Sequence, residues 1–143
     1  MEISRLIEGR ASSDIISSSV ETPVRDAVKL LASRRIGAIP VVEGGQIVGI
    51  FSERDVVYRL ADEGEACLSR PLGEVMTSPA ITVERSTTLL DALALMTRRR
   101  IRHLPVVEGD VMCGFISIGD LVKARLEEIQ HEAEAMREYI RTA

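Results

Sequence analysis

Two short strings in this sequence have the residue types and spacing for chemistry: Ser52-x-x-Asp55 and Ser117-x-x-Asp120. Each closes an apolar, β-rich run and opens a helical one. A serine there caps the helix by accepting from a backbone N–H two or three residues on. The free N–H groups of the same end carry partial positive charge and suit a phosphate. An aspartate in the first turn can accept hydrogen bonds from two vicinal hydroxyls, as on a ribose. One turn thus offers grips for both ends of a nucleoside phosphate. The plainer reading is a capping box with Asp in place of Glu. For a single copy that reading carries more weight, and duplication alone does not change it.

The remaining chemistry-bearing residues are few. Arg98, Arg99, Arg100 and Arg102 form a basic run after a helical stretch, and Arg34 and Arg35 hold the equivalent place earlier in the chain. Such runs complement a helix dipole; the sharper alternative puts Arg102, with Arg100, on a ligand phosphate. His103 precedes an apolar strand and has no nucleophile beside it, so it reads as a packed residue or a ligand contact rather than a catalyst. His131 falls on a solvated helix. Cys67 and Cys113 have no paired spacing, and no Cys/His cluster offers a metal site. No Ser/His, Cys/His or metal-ligand set supports an enzyme.

The elements that must position these groups come as a repeat. Residues 36–57 align with residues 101–122 at an offset of 65 without gaps, with ten of 22 positions identical. Ile36, Pro40, Val41, Val42, Glu43, Gly44, Gly49, Ser52, Asp55 and Val57 each find a twin. Two copies are too few for a solenoid, so the units are expected to pack on each other. Each unit reads β-α-β-β-α. A short apolar stretch (residues 14–16, or 80–83) leads to a helix. In the first unit Thr22 is the expected N-cap, Pro23 the first helical residue, and Val24, Ala27, Val28 and Leu31 the stripe. In the second, Thr87 or Thr88 opens a helix striped by Leu89, Ala92, Leu93 and Met96. Strands 38–43 and 46–51 flank a Gly44-Gly45 turn, and strands 104–108 and 111–116 flank Gly109-Asp110. The expected class is α+β (mixed α/β), two pseudo-symmetric units packed sheet to sheet. The boundaries are an N-terminal helix at 1–10, unit 1 at 11–66, a linker at 67–75 with a short helical start at 72–76, unit 2 at 76–126 and a C-terminal helical extension at 127–143.

These strings together resemble a tandem pair of cystathionine-β-synthase (CBS) domains, a Bateman module of the stand-alone bacterial type. The resemblance rests on Gly-h-x-Ser-x-x-Asp at Gly49 and Gly114, the Pro-Val-Val-Glu runs at Pro40 and Pro105, and Val75-Met76-Thr77-Ser78-Pro79 at the opening of unit 2. It implies a regulatory, non-enzymatic module whose two inter-unit clefts bind adenosine-containing ligands of the AMP, ATP, S-adenosylmethionine or NAD(H) class, with no catalytic cofactor. It implies that Asp55 and Asp120 hold ribose hydroxyls and that Ser52 and Ser117 stand beside the phosphate or ribose. Gly37, Ala38 and Ile39, with Arg102, His103 and Leu104, would line the base pocket through backbone groups. Ile16, Ser17 and Ser18, with Ile81, Thr82 and Val83, would form the opposite wall. The units differ where Arg54 can reach a phosphate in one and Gly119 permits close approach in the other, so the clefts are expected to be unequal, with occupancy of one or of both left open. The resemblance also implies a homodimer, and any output is expected to pass through a partner protein or through the dimer surface.

Composition agrees. The chain has 143 residues, 45% hydrophobic and 28% charged, and a net charge of −4. An acidic chain with 3% aromatics and no Trp is a poor nucleic-acid binder. No apolar run is long enough to span a bilayer, no signal core opens the chain, and the unpaired cysteines suit a cytoplasmic location. Val122, Leu126, Ile129, Ala133, Met136 and Ile140 recur at spacings of 4, 3, 4, 3 and 4, a heptad seam. That seam must pack on Ile3, Leu6 and Ile7 or on a second subunit, and its length favours the subunit. The alternative to a ligand sensor is a structural dimerisation adaptor with empty clefts.

Overall fold

A β-hairpin is the constant of each half, because glycine holds its turn in the left-handed region. Gly44 and Gly45 have φ of +59° and +80°, and Gly109 has +64°. A computed structural model, describing residues 1–142, builds each half around that hairpin. In the first, β2 (Ala38–Glu43) pairs antiparallel with β3 (Gln46–Ser52), and β1 (Ser18–Ser19) adds parallel to β2. In the second, β5 (His103–Glu108) pairs with β6 (Val111–Ser117), and β4 (Val83–Glu84) adds parallel to β5. The sheets are three-stranded, ordered β1-β2-β3 and β4-β5-β6. Both carry the same register shift, at Val41/Val42 and at Val106/Val107.

The helices follow the apolar stripes. α2 (Val24–Arg34) buries Val24, Ala27 and Leu31, and α5 (Leu89–Arg99) buries Leu89, Ala92 and Met96. The Thr88 hydroxyl caps α5 by accepting from the Asp91 N–H at 3.1 Å. Thr22 does not cap α2: Pro23 occupies the N-cap position and the Thr22 hydroxyl shares a hydrogen bond with that of Ser19 at 3.1 Å. α3 (Glu53–Glu63) follows β3, and α6 (Ile118–Thr142) follows β6.

Three further sequence expectations are revised. The leading strand of unit 1 lies at Ser18–Ser19 rather than 14–16, because pairing with Val41 and Val42 fixes its position; a 3₁₀ turn occupies Ser12–Asp14. The segment expected as a linker carries packed secondary structure, and the helical start expected at 72–76 is present. A 3₁₀ helix runs Gly64–Ser69, and α4 spans Leu72–Val75, with Cys67 and Leu72 at 0% exposure. The N-terminal helix, α1 (Ile3–Ile7), is shorter than 1–10 and completes the second half: Ile3 and Ile7 pack with Leu104, Ile116 and Leu121. Correspondingly α4, which leads into the second half, packs Leu72 and Val75 with Phe51 and Ile39 of the first. Each half is therefore closed by the segment that precedes the other.

This exchange explains the repeated glycine. A Cβ on Gly114 would lie 2.8 Å from Ile7 Cγ2, and one on Gly49 would lie 2.6 Å from Met76 Sδ. Both strands are bare where the incoming segment crosses them.

Candidate functional site

Ser52 and Ser117 stand at the joints between β3 and α3 and between β6 and α6, and both serine–aspartate pairs form capping boxes. Asp55 Oδ2 accepts from the Ser52 N–H at 2.9 Å, and Asp120 Oδ2 accepts from the Ser117 N–H at 2.9 Å. In return the serine hydroxyls accept from the Asp55 and Asp120 N–H groups at 3.4 and 3.2 Å. The joints are tied to the neighbouring strands in the same way, Glu53 N–H to the Gly37 carbonyl at 3.0 Å and Ile118 N–H to the Arg102 carbonyl at 2.8 Å. One oxygen of each carboxylate is thus used internally. What the second oxygen meets separates the halves.

At Asp55 the second oxygen is also taken. The Thr77 hydroxyl donates to Oδ1 at 3.0 Å. Residues 76–78 lie along β3: Ile50 and Thr77 exchange two backbone hydrogen bonds of 3.0 and 2.8 Å, and the Ser78 hydroxyl donates to the Val48 carbonyl at 2.9 Å. Asp120 lines a cavity of about 270 Å³, and its second oxygen faces the Arg10 guanidinium, another lining residue, at 3.6 Å. Ligand pockets begin at roughly 300 Å³, so this cleft suits a small occupant or part of a larger one.

The difference follows from chain length. Between Ile7, seated on Gly114, and Ile16 lie eight residues, 8–15; between Met76, seated on Gly49, and Ile81 lie four, 77–80. Four residues of the longer path, Arg10, Ala11, Asp14 and Ile15, line the cleft. The shorter one lies flat against its strand and fills the space before Asp55.

The Asp120 cleft joins both halves. Ile16, Ile36 and Ala38 come from the first, and His103, Phe115, Ser117 and Asp120 from the second. His103 stacks on Phe115 with ring centroids 5.6 Å apart and planes at 14°. Its Cε1 lies 3.3 Å from where a Cβ on Gly37 would stand, so Gly37 keeps the halves close. Burial holds the His103 imidazole below its ordinary range, and Arg102 adds to this, against the opposing pull of Asp120 and Glu53.

Several expected site residues lie elsewhere. Ile39, Leu104 and Val83 are buried in the two cores, so only their backbones are available to a ligand. Arg54 donates to the Arg100 carbonyl at 2.9 Å and so joins the halves at the end of α5. Arg102 is exposed and does not line the cavity. Ser18 belongs to β1, and Ile81 packs against the second core. Gly119 and Thr82 do not line the cavity either.

Sequence reasoning missed Arg10, Asp14, Cys113 and Phe115, all of which line the cleft. Strand alternation carried a signal for two of them, since Cys113, Phe115 and Ser117 share one face of β6. Arg10 and Asp14 gave none, because their placement depends on the longer path. Among the described residues no three His, Cys, Asp or Glu side chains converge as a metal site, and no helix is long and apolar enough to cross a membrane.

The CBS domain family matches residues 6–62 and 72–127 of the chain. CBS domain-containing protein CBSX3, mitochondrial, of Arabidopsis thaliana is 37% identical over 127 residues, covering 85% of this chain and 62% of that protein. The chain therefore spans less than two thirds of that relative. The structure of the CBS-domain containing protein ATU1752 from Agrobacterium tumefaciens matches with a TM-score of 0.81 and 32% identity, covering 87% of this chain and 99% of the other. That of CBSX2 in complex with AMP matches with a TM-score of 0.75 and 25% identity, covering 88% and 96%.

Proposed function

The chain belongs to the CBS domain family, as a tandem pair, and from that premise we propose that it is a non-enzymatic regulatory module that binds an adenosine-containing ligand in its Asp120 cleft. The observation that carries this reading is the open cavity at Asp120, lined also by the Arg10 that the second carboxylate oxygen faces. In this reading Asp120 Oδ1 exchanges Arg10 for the ribose hydroxyls. The N-terminal amides of α6 and the freed Arg10 guanidinium take the anionic end of an AMP-, ATP- or NAD(H)-class ligand. His103 and Phe115 flank the base, with Ile16 and Ala38 opposite. The Asp55 cleft stays empty, because a ligand there must first displace Thr77.

Signalling follows from the composition of the walls. A ligand that touches Ile16 and Ala38 on one side and Asp120 on the other binds best at one relative setting of the halves. It shifts the population of settings by that difference in affinity and by nothing else. An effector protein then reads the setting, and the free thiols Cys67 and Cys113 suit a reducing, cytoplasmic compartment.

The test is a thermal-shift panel of AMP, ATP, NAD(H), S-adenosylmethionine and adenosine on the intact chain, with mass spectrometry of small molecules released from freshly purified protein. A ligand at 100 times its dissociation constant adds about 2.7 kcal/mol to stability. No shift with any of these compounds, and no released nucleotide, leaves the adaptor reading in possession, which the internal use of one oxygen on each aspartate already favours.

A further inference from the structure

Among the described residues, none of α6 beyond Ala124 is buried. The helix has 25 residues, about 37 Å at 1.5 Å per residue, and its buried residues are Leu121 and Ala124 near its start. The heptad seam is exposed instead: Leu126 at 61%, Met136 at 59% and Ile140 at 66%. At about 100° per residue the seam lies roughly a third of a turn round from the face that packs on the body. A second helix can therefore lie along it without displacing Leu121 or Ala124.

The charges beside the seam choose the occupant. With Leu126, Ala133 and Ile140 at one core position and Val122, Ile129 and Met136 at the other, Arg125 and Glu132 flank one edge, and Lys123, Gln130 and Arg137 flank the other. In a parallel, in-register pair each flanking residue faces the opposite edge of the partner five residues further on. Glu132 then meets the partner's Arg137, twice by symmetry, and Arg125 meets the partner's Gln130. In the antiparallel register that pairs all six apolar positions, Glu132 meets the partner's Glu132, and Lys123 meets the partner's Arg137. Both of those contacts are repulsive. Among the described residues neither Glu132 nor Arg137 has an ion-pair partner within the chain, while Arg125 is held by Glu128 at 3.3 Å.

From this we infer that the occupant of the seam is a second copy of the chain, with the two α6 helices parallel and in register. This pairing sets both bodies at one end of a short coil, so any change in the angle between halves is made next to the partner's. It stands independently of ligand binding, since the seam and the Asp120 cleft share no residue.

The experiment is sedimentation equilibrium on the full chain, with circular dichroism to show that each variant keeps its helix. A dimer is expected. Glu132→Arg or Arg137→Glu alone should weaken it by about tenfold, and the two together should restore it, since the swapped charges still attract. Met136→Cys should form its own disulfide across the pair under mild oxidation. The inference is overturned by a monomer at tens of micromolar, by a dimer indifferent to Ile129→Glu, or by a Met136→Cys variant that crosslinks only to a chain carrying Leu126→Cys, the antiparallel outcome. A monomer that captures an effector through the seam also overturns it. Ligand binding at Asp120 is untouched by any of these results.

Discussion

The Thr77 hydroxyl donates to Asp55 Oδ1 at 3.0 Å, and the equivalent oxygen of Asp120 has no hydroxyl before it but the Arg10 guanidinium at 3.6 Å. Two copies of one motif thus present one engaged carboxylate and one exchangeable one. An exposed ion pair is worth about 0–1 kcal/mol, so a ligand can displace Arg10 at little cost. Displacing Thr77 also disturbs its two backbone hydrogen bonds to Ile50.

That asymmetry gives the first prediction. Asp120→Ala should abolish the thermal shift produced by an adenosine compound, whereas Asp55→Ala should leave most of it. Each variant loses a capping box and about 0.5–2 kcal/mol of basal stability, so the quantity to compare is the ligand-induced increment in Tm. Equal loss of the increment in both variants contradicts binding at the Asp120 cleft alone.

Arg10 separates ligand classes. Arg10→Ala should weaken binding of AMP by about tenfold, one charge-assisted hydrogen bond, and leave adenosine unchanged or slightly tighter, since it also frees Asp120. Isothermal titration with both compounds measures the difference. An equal effect on both removes Arg10 from the phosphate end.

The two bare strand positions should not tolerate a methyl group equally. A Cβ on Gly49 meets Met76 Sδ at 2.6 Å and the Thr77 backbone oxygen at 2.9 Å, whereas the three atoms nearest one on Gly114 all belong to the Ile7 side chain. Both changes should destabilise, by about 1–3 kcal/mol, with Gly49→Ala the worse because a backbone atom cannot rotate away. Urea unfolding midpoints decide the order.

Leu72→Ala tests the ordered segment. Leu72 is at 0% exposure and packs in the first core, so its truncation should cost about 2–5 kcal/mol in urea unfolding. A change within experimental error would return residues 67–75 to the status of a linker.

Stability should also fall on mild acidification through His103. Its imidazole is held below the ordinary histidine value of 6.5, chiefly by burial. The folded chain therefore binds that proton less readily than the unfolded chain. The stabilisation from keeping the ring neutral is present above pH 6.5 and is lost as pH falls through the folded value. Thermal unfolding at pH 7 and pH 5 should show a loss of Tm whose slope is smaller in His103→Gln. Identical slopes would exclude His103 as the source.

The sequence on its own determined what is local. The gap-free repeat, the glycine turns, the α2 and α5 stripes and both Ser-x-x-Asp joints were legible because each depends on residues a few positions apart. So was the apolar seam of α6, whose period is a property of one helix. The family resemblance rested on these same local strings. The tertiary structure decided what depends on distant segments meeting. It placed α1 on the second core and α4, whose helical start was legible, on the first, it packed Cys67 of the expected linker, and it brought Arg10, absent from every motif, to Asp120. It also settled which aspartate lines a cavity in this structure. The eight residues between Ile7 and Ile16 include four that line the cleft, where the four between Met76 and Ile81 lie flat. Both spacings are written in the chain, but they acquire meaning only when Gly114 and Gly49 fix where each path begins.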